Sequence, residues 1–214
     1  MSVVCPTVTA MTRAEYRTQL ERLQSFAKRI HLDFMDGIFA PTKSVAIADA
    51  WWQPGPIIDL HIMHEKPMLE LENCIMLQPH MIILHAESEG VLEFFKEMHD
   101  LGIKKGIALL KPTPVELIKD LLPELDHVLV FSGDLGHFGG TVDTNMLKKV
   151  HELRRLKPDI EIGWDGGINA DTAAELIRAG VDVLNTGGFI QRAQNPEYAY
   201  DTLEAIVKAE GARA

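Results

Sequence analysis

The stretch Ile57-Ile58-Asp59-Leu60-His61-Ile62-Met63 reads as a strand, and it decides the fold. Residues i and i+2 of a strand share one face, so His61 and Met63 point together. Upstream, His31-Leu32-Asp33 repeats the arrangement, with imidazole and carboxylate on one face. Downstream, Trp164-Asp165-Gly166-Gly167 and the run Gly136-His137-Phe138-Gly139-Gly140 place an acid and a set of glycines at equivalent points. A parallel barrel aims such acids and imidazoles inward. Runs such as MIIL (81–84) and VLVF (128–131) are continuously apolar, as expected of strands buried on both faces.

Outward from these strands the chain alternates short β-like runs with amphipathic stretches. Val3–Val8, Ile30–Met35, Ile57–Met63, Met81–His85, Lys105–Leu110, His127–Phe131, Ile160–Trp164 and Asp182–Thr186 are the expected strands. Helical segments are expected over Arg13–Lys28, near Val45–Trp52, and over Pro67–Leu77, Gly90–Asp100, Pro114–Leu121, Asn145–Arg155, Ala170–Ala179 and Pro196–Ala209. These eight strand–helix units predict one (β/α)8 barrel, a TIM barrel, as a single domain over residues 1–214. A doubly wound open sheet would carry GxGxxG after its first strand, and CPTVTAMT (5–12) lacks it.

Composition narrows the classes. Hydrophobic residues make up 46% and charged residues 24%, an ordinary globular balance. The formal charge of −10 argues against general nucleic-acid binding. No run reaches the roughly 18–20 apolar residues of a membrane span, and MSVVCPTVTAMTR does not read as a signal peptide. Cys5 and Cys74 are too few for a disulfide framework, so buried thiols in a reducing cytoplasm are expected.

In such barrels the chemistry lies at the carboxyl ends of the strands. Thr7, Thr9, His31, Asp33, His61, Met63, Ser132, Asp165, Gly187 and Gly188 all fall there. A buried histidine or aspartate costs several kcal/mol unless it is paired or metal-bound. His31, Asp33, His61 and Asp165 together suit one divalent metal ion: zinc, iron(II), manganese or cobalt. Two carboxylates on opposite sides of an enediolate can take a proton from one face and return one to the other, giving the epimer. Glycine-rich loops after the sixth, seventh and eighth strands suit a phosphate. Met35 and Met63 share parity with the ligands and either fill the barrel or shield the reacting carbons. Trp51-Trp52 read as packing or an oligomer contact, His64, His99 and His151 as solvent-facing, and Glu65, Glu70 and Glu72 as a solvated face. His85, ending the fourth strand, reads as a support or substrate-orienting group.

These segments resemble the ribulose-phosphate 3-epimerase family over essentially the full length. HLDFMDGIFAPTKS (31–44), DLHIMHEKP (59–67), HAESEG (85–90), GIALLKPTPVE (106–116), VLVFSGDLGHFGG (128–140) and WDGGINADTAAELIRAGVDVLNTGGFI (164–190) match in order and spacing. The resemblance implies metal ligation by His31, Asp33, His61 and Asp165, with Asp33 and Asp165 as the acid/base pair. It places Met35 and Met63 beside the reacting carbons, and phosphate on amides around Gly139, Gly140, Gly167, Gly187 and Gly188. It implies interconversion of D-ribulose 5-phosphate and D-xylulose 5-phosphate by a homo-oligomer, with relatives acting on hexulose 6-phosphates. Thr7 and Thr9 stand where a serine is usual, and Phe131 where a third methionine is. Thr42 replaces an asparagine, Gly188 a serine, and the loop Asp134–Gly140 gains a residue. The chemistry is therefore expected to persist and the sugar-reading pocket to differ. A sister-barrel lyase or decarboxylase, or a non-catalytic phosphosugar binder, are the competing readings.

Overall fold

The computed structural model describes residues 2–136 and 140–213. Its eight strands are β1 (Val3–Thr9), β2 (Arg29–Met35), β3 (Ile57–Met63), β4 (Met81–His85), β5 (Lys104–Leu109), β6 (His127–Phe131), β7 (Glu161–Asp165) and β8 (Val183–Thr186). They pair in sequence order, all parallel, and β8 closes on β1. The expected (β/α)8 barrel is the observed one.

The strands carry two different faces. Ile30, Leu32 and Phe34 of β2, Ile58, Leu60 and Ile62 of β3, and Ile82 and Leu84 of β4 all join the main hydrophobic core, outside the barrel. The alternate residues point inward, where Met81, Ile83, Ala108 and Leu129 form a small separate cluster. Below it lies a plug of charge. Arg29 Nε donates to Asp59 Oδ2 at 2.6 Å, and the other guanidinium nitrogens reach Glu161 at 2.9 Å. His127 Nδ1 lies 2.8 Å from Glu161 Oε1. A buried charge of this kind persists only when so paired. Gly106 and Gly163 make room inside: a Cβ would lie 2.7 Å from Ile83 Cγ1 in the first case and 2.6 Å from His127 Nε2 in the second.

The outer layer holds α1 (Arg13–Leu23), α2 (Leu71–Met76), α3 (Val91–Glu97), α4 (Leu147–Leu156), α5 (Ala173–Ala179), α6 (Gly188–Gln191) and α7 (Pro196–Gly211). Helix α1 begins at a capping box, Thr12 accepting from the Glu15 amide while Glu15 reaches back. It stops at Leu23, short of the expected Lys28. Two expected helices are not α-helical. After β5 the chain makes 3-10 turns over Val115–Ile118 and Leu122–Glu124. Pro123 has no N–H to give a continuing helix and would clash with the carbonyl of Lys119. After β2 a single 3-10 turn, Ile47–Asp49, is followed by extended chain. There the Tyr16 hydroxyl donates to the Trp51 carbonyl at 2.8 Å, holding that backbone away from helix. Trp51 and Trp52 are half-buried against the core, and Cys5 and Cys74 are buried free thiols.

Candidate metal and acid/base site

Asp33 is the hub of the carboxyl-end cluster. Its Oδ1 lies 2.9 Å from His61 Nδ1 and 3.2 Å from His31 Nε2, and its Oδ2 accepts from Thr9 Oγ1 at 2.5 Å. Pairing of β1 with β2 sets Thr9 beside Asp33, and pairing of β2 with β3 sets Asp33 beside His61. Asp165 approaches from β7, with Oδ2 3.9 Å from His31 Nε2. Each of His31, Asp33, His61 and Asp165 offers one ligand atom within 4.8 Å of all the others.

The two acids are driven apart in protonation. Burial pushes Asp33 up, but the close imidazoles of His31 and His61 outweigh it and hold this carboxylate well below its ordinary range. Asp165 has no imidazole at hydrogen-bond distance, and the bond from the Gly166 amide offsets little. Burial, and then the charge on Asp33, push its carboxyl well above the ordinary range. Burial also pushes His61 down to about 3, so this imidazole is neutral, as a metal ligand must be.

Two observations fit these residues to a cation. Neither ring nitrogen of His31 has a hydrogen-bond partner among the described residues, although the side chain is fully buried. The second is a proton count. His61 Nε2 lies 2.9 Å from His85 Nε2, and His85 Nδ1 lies 3.4 Å from Glu87 Oε2. The row Asp33, His61, His85, Glu87 thus has three gaps, while two neutral imidazoles carry one N–H each. A cation shared by Asp33 and His61 fills the gap left over, and both rings can then donate toward Glu87. His85 and Glu87 would so orient the ligand, as outer partners of metal-binding histidines do. Thr113 Oγ1 and the Leu110 amide in turn hold Glu87.

A cavity of about 270 Å³ opens above the cluster. Thr7, Met35, Met63, Gly140, Gly167, Gly187 and Gly188 all line it, with Asp33 and Asp165 at its floor. Met35 and Met63 pack with Ala40 in a small apolar cluster of their own. Gly139 and His137 lie outside the described residues. Gly166 and Gly167 are required by close approach, since a Cβ on either would sit 2.2 Å from a backbone nitrogen of the β6 loop. Thr42 Oγ1 donates to the Gly136 carbonyl at 2.9 Å, tying that loop to the one after β2. Asp36 faces away from Asp33. It accepts from the amides of Ile38 and Phe39 at 2.8 Å and of Glu65 at 2.7 Å, and so shapes the rim. His64 is half-buried rather than solvent-facing, whereas His99 and His151 are exposed.

The strand parity that exposes His31 and Asp33 in the sequence also applies to Thr9, whose bond to Asp33 the barrel pairing alone reveals. Asn185 and Arg192 also line the cavity, and neither stands out in the sequence. Asn185 sits inside an apolar strand, and Arg192 caps the C-terminal end of α6, in a stretch that the sequence reading leaves between strand and helix.

Comparison with known proteins agrees with this geometry. The model of the ribulose-phosphate 3 epimerase family matches residues 3–190. The ribulose-phosphate 3-epimerase of Helicobacter pylori is 34% identical over 194 residues, covering 85% of this chain and 88% of its own. That of Bacillus subtilis is 30% identical over 173 residues, covering 75% and 78%. Among solved structures, a 3-keto-L-gulonate-6-phosphate decarboxylase from Vibrio cholerae superposes with a TM-score of 0.75 at 10% identity, covering 97% of this chain and 98% of its own. A 3-hexulose-6-phosphate synthase from Salmonella typhimurium gives 0.70 at 14%, covering 97% and 99%. At such identities these two show a shared barrel and nothing finer.

Proposed function

The chain belongs to the ribulose-phosphate 3-epimerase family and is an isomerase acting on carbohydrates, and on that premise we propose that it interconverts D-ribulose 5-phosphate and D-xylulose 5-phosphate. One observation carries the reading: Asp33 and Asp165 converge from opposite strands on one cavity floor, beside the buried imidazoles of His31 and His61. Asp33, ionised, is ready to accept a proton, and Asp165, protonated, is ready to give one. One acid breaks the C3–H bond and takes the proton. The electron pair moves into C2–C3, leaving the charge on the carbonyl oxygen of a 2,3-enediolate. The other acid then delivers its proton to the opposite face of C3, and the configuration inverts. In the reverse direction the two roles exchange.

His31, Asp33, His61 and Asp165 would hold one divalent cation (Zn, Fe(II), Mn or Co), which when bound supplies a Lewis acid for that oxyanion. Met35, Met63 and Phe131 wall the cavity with apolar surface and keep water from the reacting carbons. The amides near Gly140, Gly167, Gly187 and Gly188, after the last three strands, suit the phosphate; Gly139 is assigned with them on resemblance. Thr7, buried beside His31 in the register, faces the substrate. Leu69 and Met76, each about four-fifths exposed, offer apolar surface to a second copy in a homo-oligomer. No helix among the described residues is long and apolar enough to cross a membrane. The buried thiols suit the cytoplasm.

The test is proton NMR in deuterated water with cation-loaded protein and D-ribulose 5-phosphate, run beside allulose 6-phosphate. D-Xylulose 5-phosphate carrying deuterium at C3 is the expected product. Exchange confined to the hexulose would keep the chemistry and replace the sugar. No exchange in either would overturn the reading.

A further inference from the structure

Among the described residues, Asn185 is the one cavity-lining amide side chain that is deeply buried and idle. It is 2% exposed, yet neither its Oδ1 nor its Nδ2 has a hydrogen-bond partner among the described residues. A buried amide left unpaired costs on the order of 1–3 kcal/mol. Such a group persists where something outside the chain satisfies it. Asn185 lines the same cavity as Asp33 and Asp165, so a bound molecule can reach it.

Its register says which part of that molecule. Asn185 is the cross-strand partner of Asp165 on β7, and it stands two residues before Gly187 on β8. Two residues of strand span about 6–7 Å. A substrate whose reacting carbon lies at Asp165, and whose phosphate lies at Gly187 and Gly188, lays its intervening carbons over Asn185. In a 2-ketopentose 5-phosphate these are C4 and C5, and of the two C4 carries the free hydroxyl. The amide offers one acceptor and two donors, the complement of a hydroxyl that both gives and takes a hydrogen bond.

Resting on the functional reading above, we propose that Asn185 is a specificity-determining residue that hydrogen-bonds the C4 hydroxyl of the phosphorylated ketose. A site built to bond a hydroxyl rejects the analogue lacking it, because the site's own polar group is left unpaired. A hydrophobic residue here would hold the same carbon without reading its substituent.

The experiment compares wild type with Asn185→Val on D-ribulose 5-phosphate and its 4-deoxy analogue, following deuterium uptake at C3. Wild type should prefer the hydroxylated sugar by about 10- to 100-fold in kcat/KM. In Asn185→Val that preference should shrink to within about threefold. Thermal unfolding separates this from a structural role. Because the variant removes an unpaired buried amide, its Tm should hold or rise. An unchanged preference in the variant, or a Tm that falls together with an equal loss on both sugars, would overturn the assignment of Asn185 alone. A wild type that exchanges C3 in neither sugar would overturn the functional reading and this inference with it.

Discussion

Asp33 and Asp165 reach the same point from β2 and β7, strands that share no hydrogen bonds, and Asp33 is the better supplied with donors. Asp33 is bonded by Thr9 and His61 and lies against His31, whereas Asp165 faces His31 at 3.9 Å and the charge of Asp33. The same side-chain chemistry is thereby pushed in two opposite directions. In the proposed reaction, environment rather than residue type assigns the acid and the base.

That asymmetry has a pH signature in the metal-free protein. The folded-state value of Asp165 is raised, so its contribution to stability is full below the ordinary carboxylate range and is lost as pH rises through the raised value. Metal-free wild type should therefore lose stability between acid and neutral pH relative to Asp165→Asn, by roughly 1–3 kcal/mol. Adding a divalent cation should raise the wild-type Tm more at neutral than at acid pH. Calorimetry across pH, with and without cation, checks both. The same variant should lose about 10²–10⁴-fold in kcat.

Thr9 is expected to hold Asp33 in its ionised form. Thr9→Val removes the 2.5 Å bond to Oδ2 and leaves a buried carboxylate oxygen without that donor. The cost should be about 1–3 kcal/mol in urea unfolding. The acid limb of kcat/KM should move to higher pH as Asp33 becomes easier to protonate. Thr9→Ser, which restores the hydroxyl, should recover both.

Gly166 should tolerate no side chain. Its φ is +109°, and a Cβ would lie 2.2 Å from the Gly133 nitrogen, so backbone must move. Gly166→Ala should cost about 2–4 kcal/mol. Gly55 is the control: its φ is +143°, but nothing lies within 4 Å of its Cβ position. Gly55→Ala should cost only about 1 kcal/mol. Paired denaturation curves measure the difference.

Strand and site were legible in this sequence for the same reason. Polar residues at i and i+2 in apolar runs are costly to bury, so His31, Asp33 and His61 announce both the strand and its inward face. The expected bounds of Ile57–Met63, Met81–His85 and His127–Phe131 are the observed ones. The crossovers were less legible. Apolar spacing in Pro114–Leu121 suits a helix, but the decisive Pro123 lies beyond that window, and Tyr16 controls Trp51 from another element. The outer part of the site was hidden too. His85 gains meaning only from its 2.9 Å approach to His61, and Asn185 only from facing a cavity. The first depends on the pairing of β3 with β4 and the second on closure of the sheet, and no local pattern encodes either.

The wall of the barrel sorts its residues into two trades. Ile30, Leu32 and Phe34 look out to the helices, while Arg29, His31, Asp33 and Met35, threaded between them, look in. Adhesion is thus assigned to one set of side chains and reactivity to the other, at alternate positions of a single strand. A lineage inheriting this scaffold can exchange inward residues above the floor, as Gly188 and Asn185 invite, and hand its descendants a new appetite without asking them to learn a new fold.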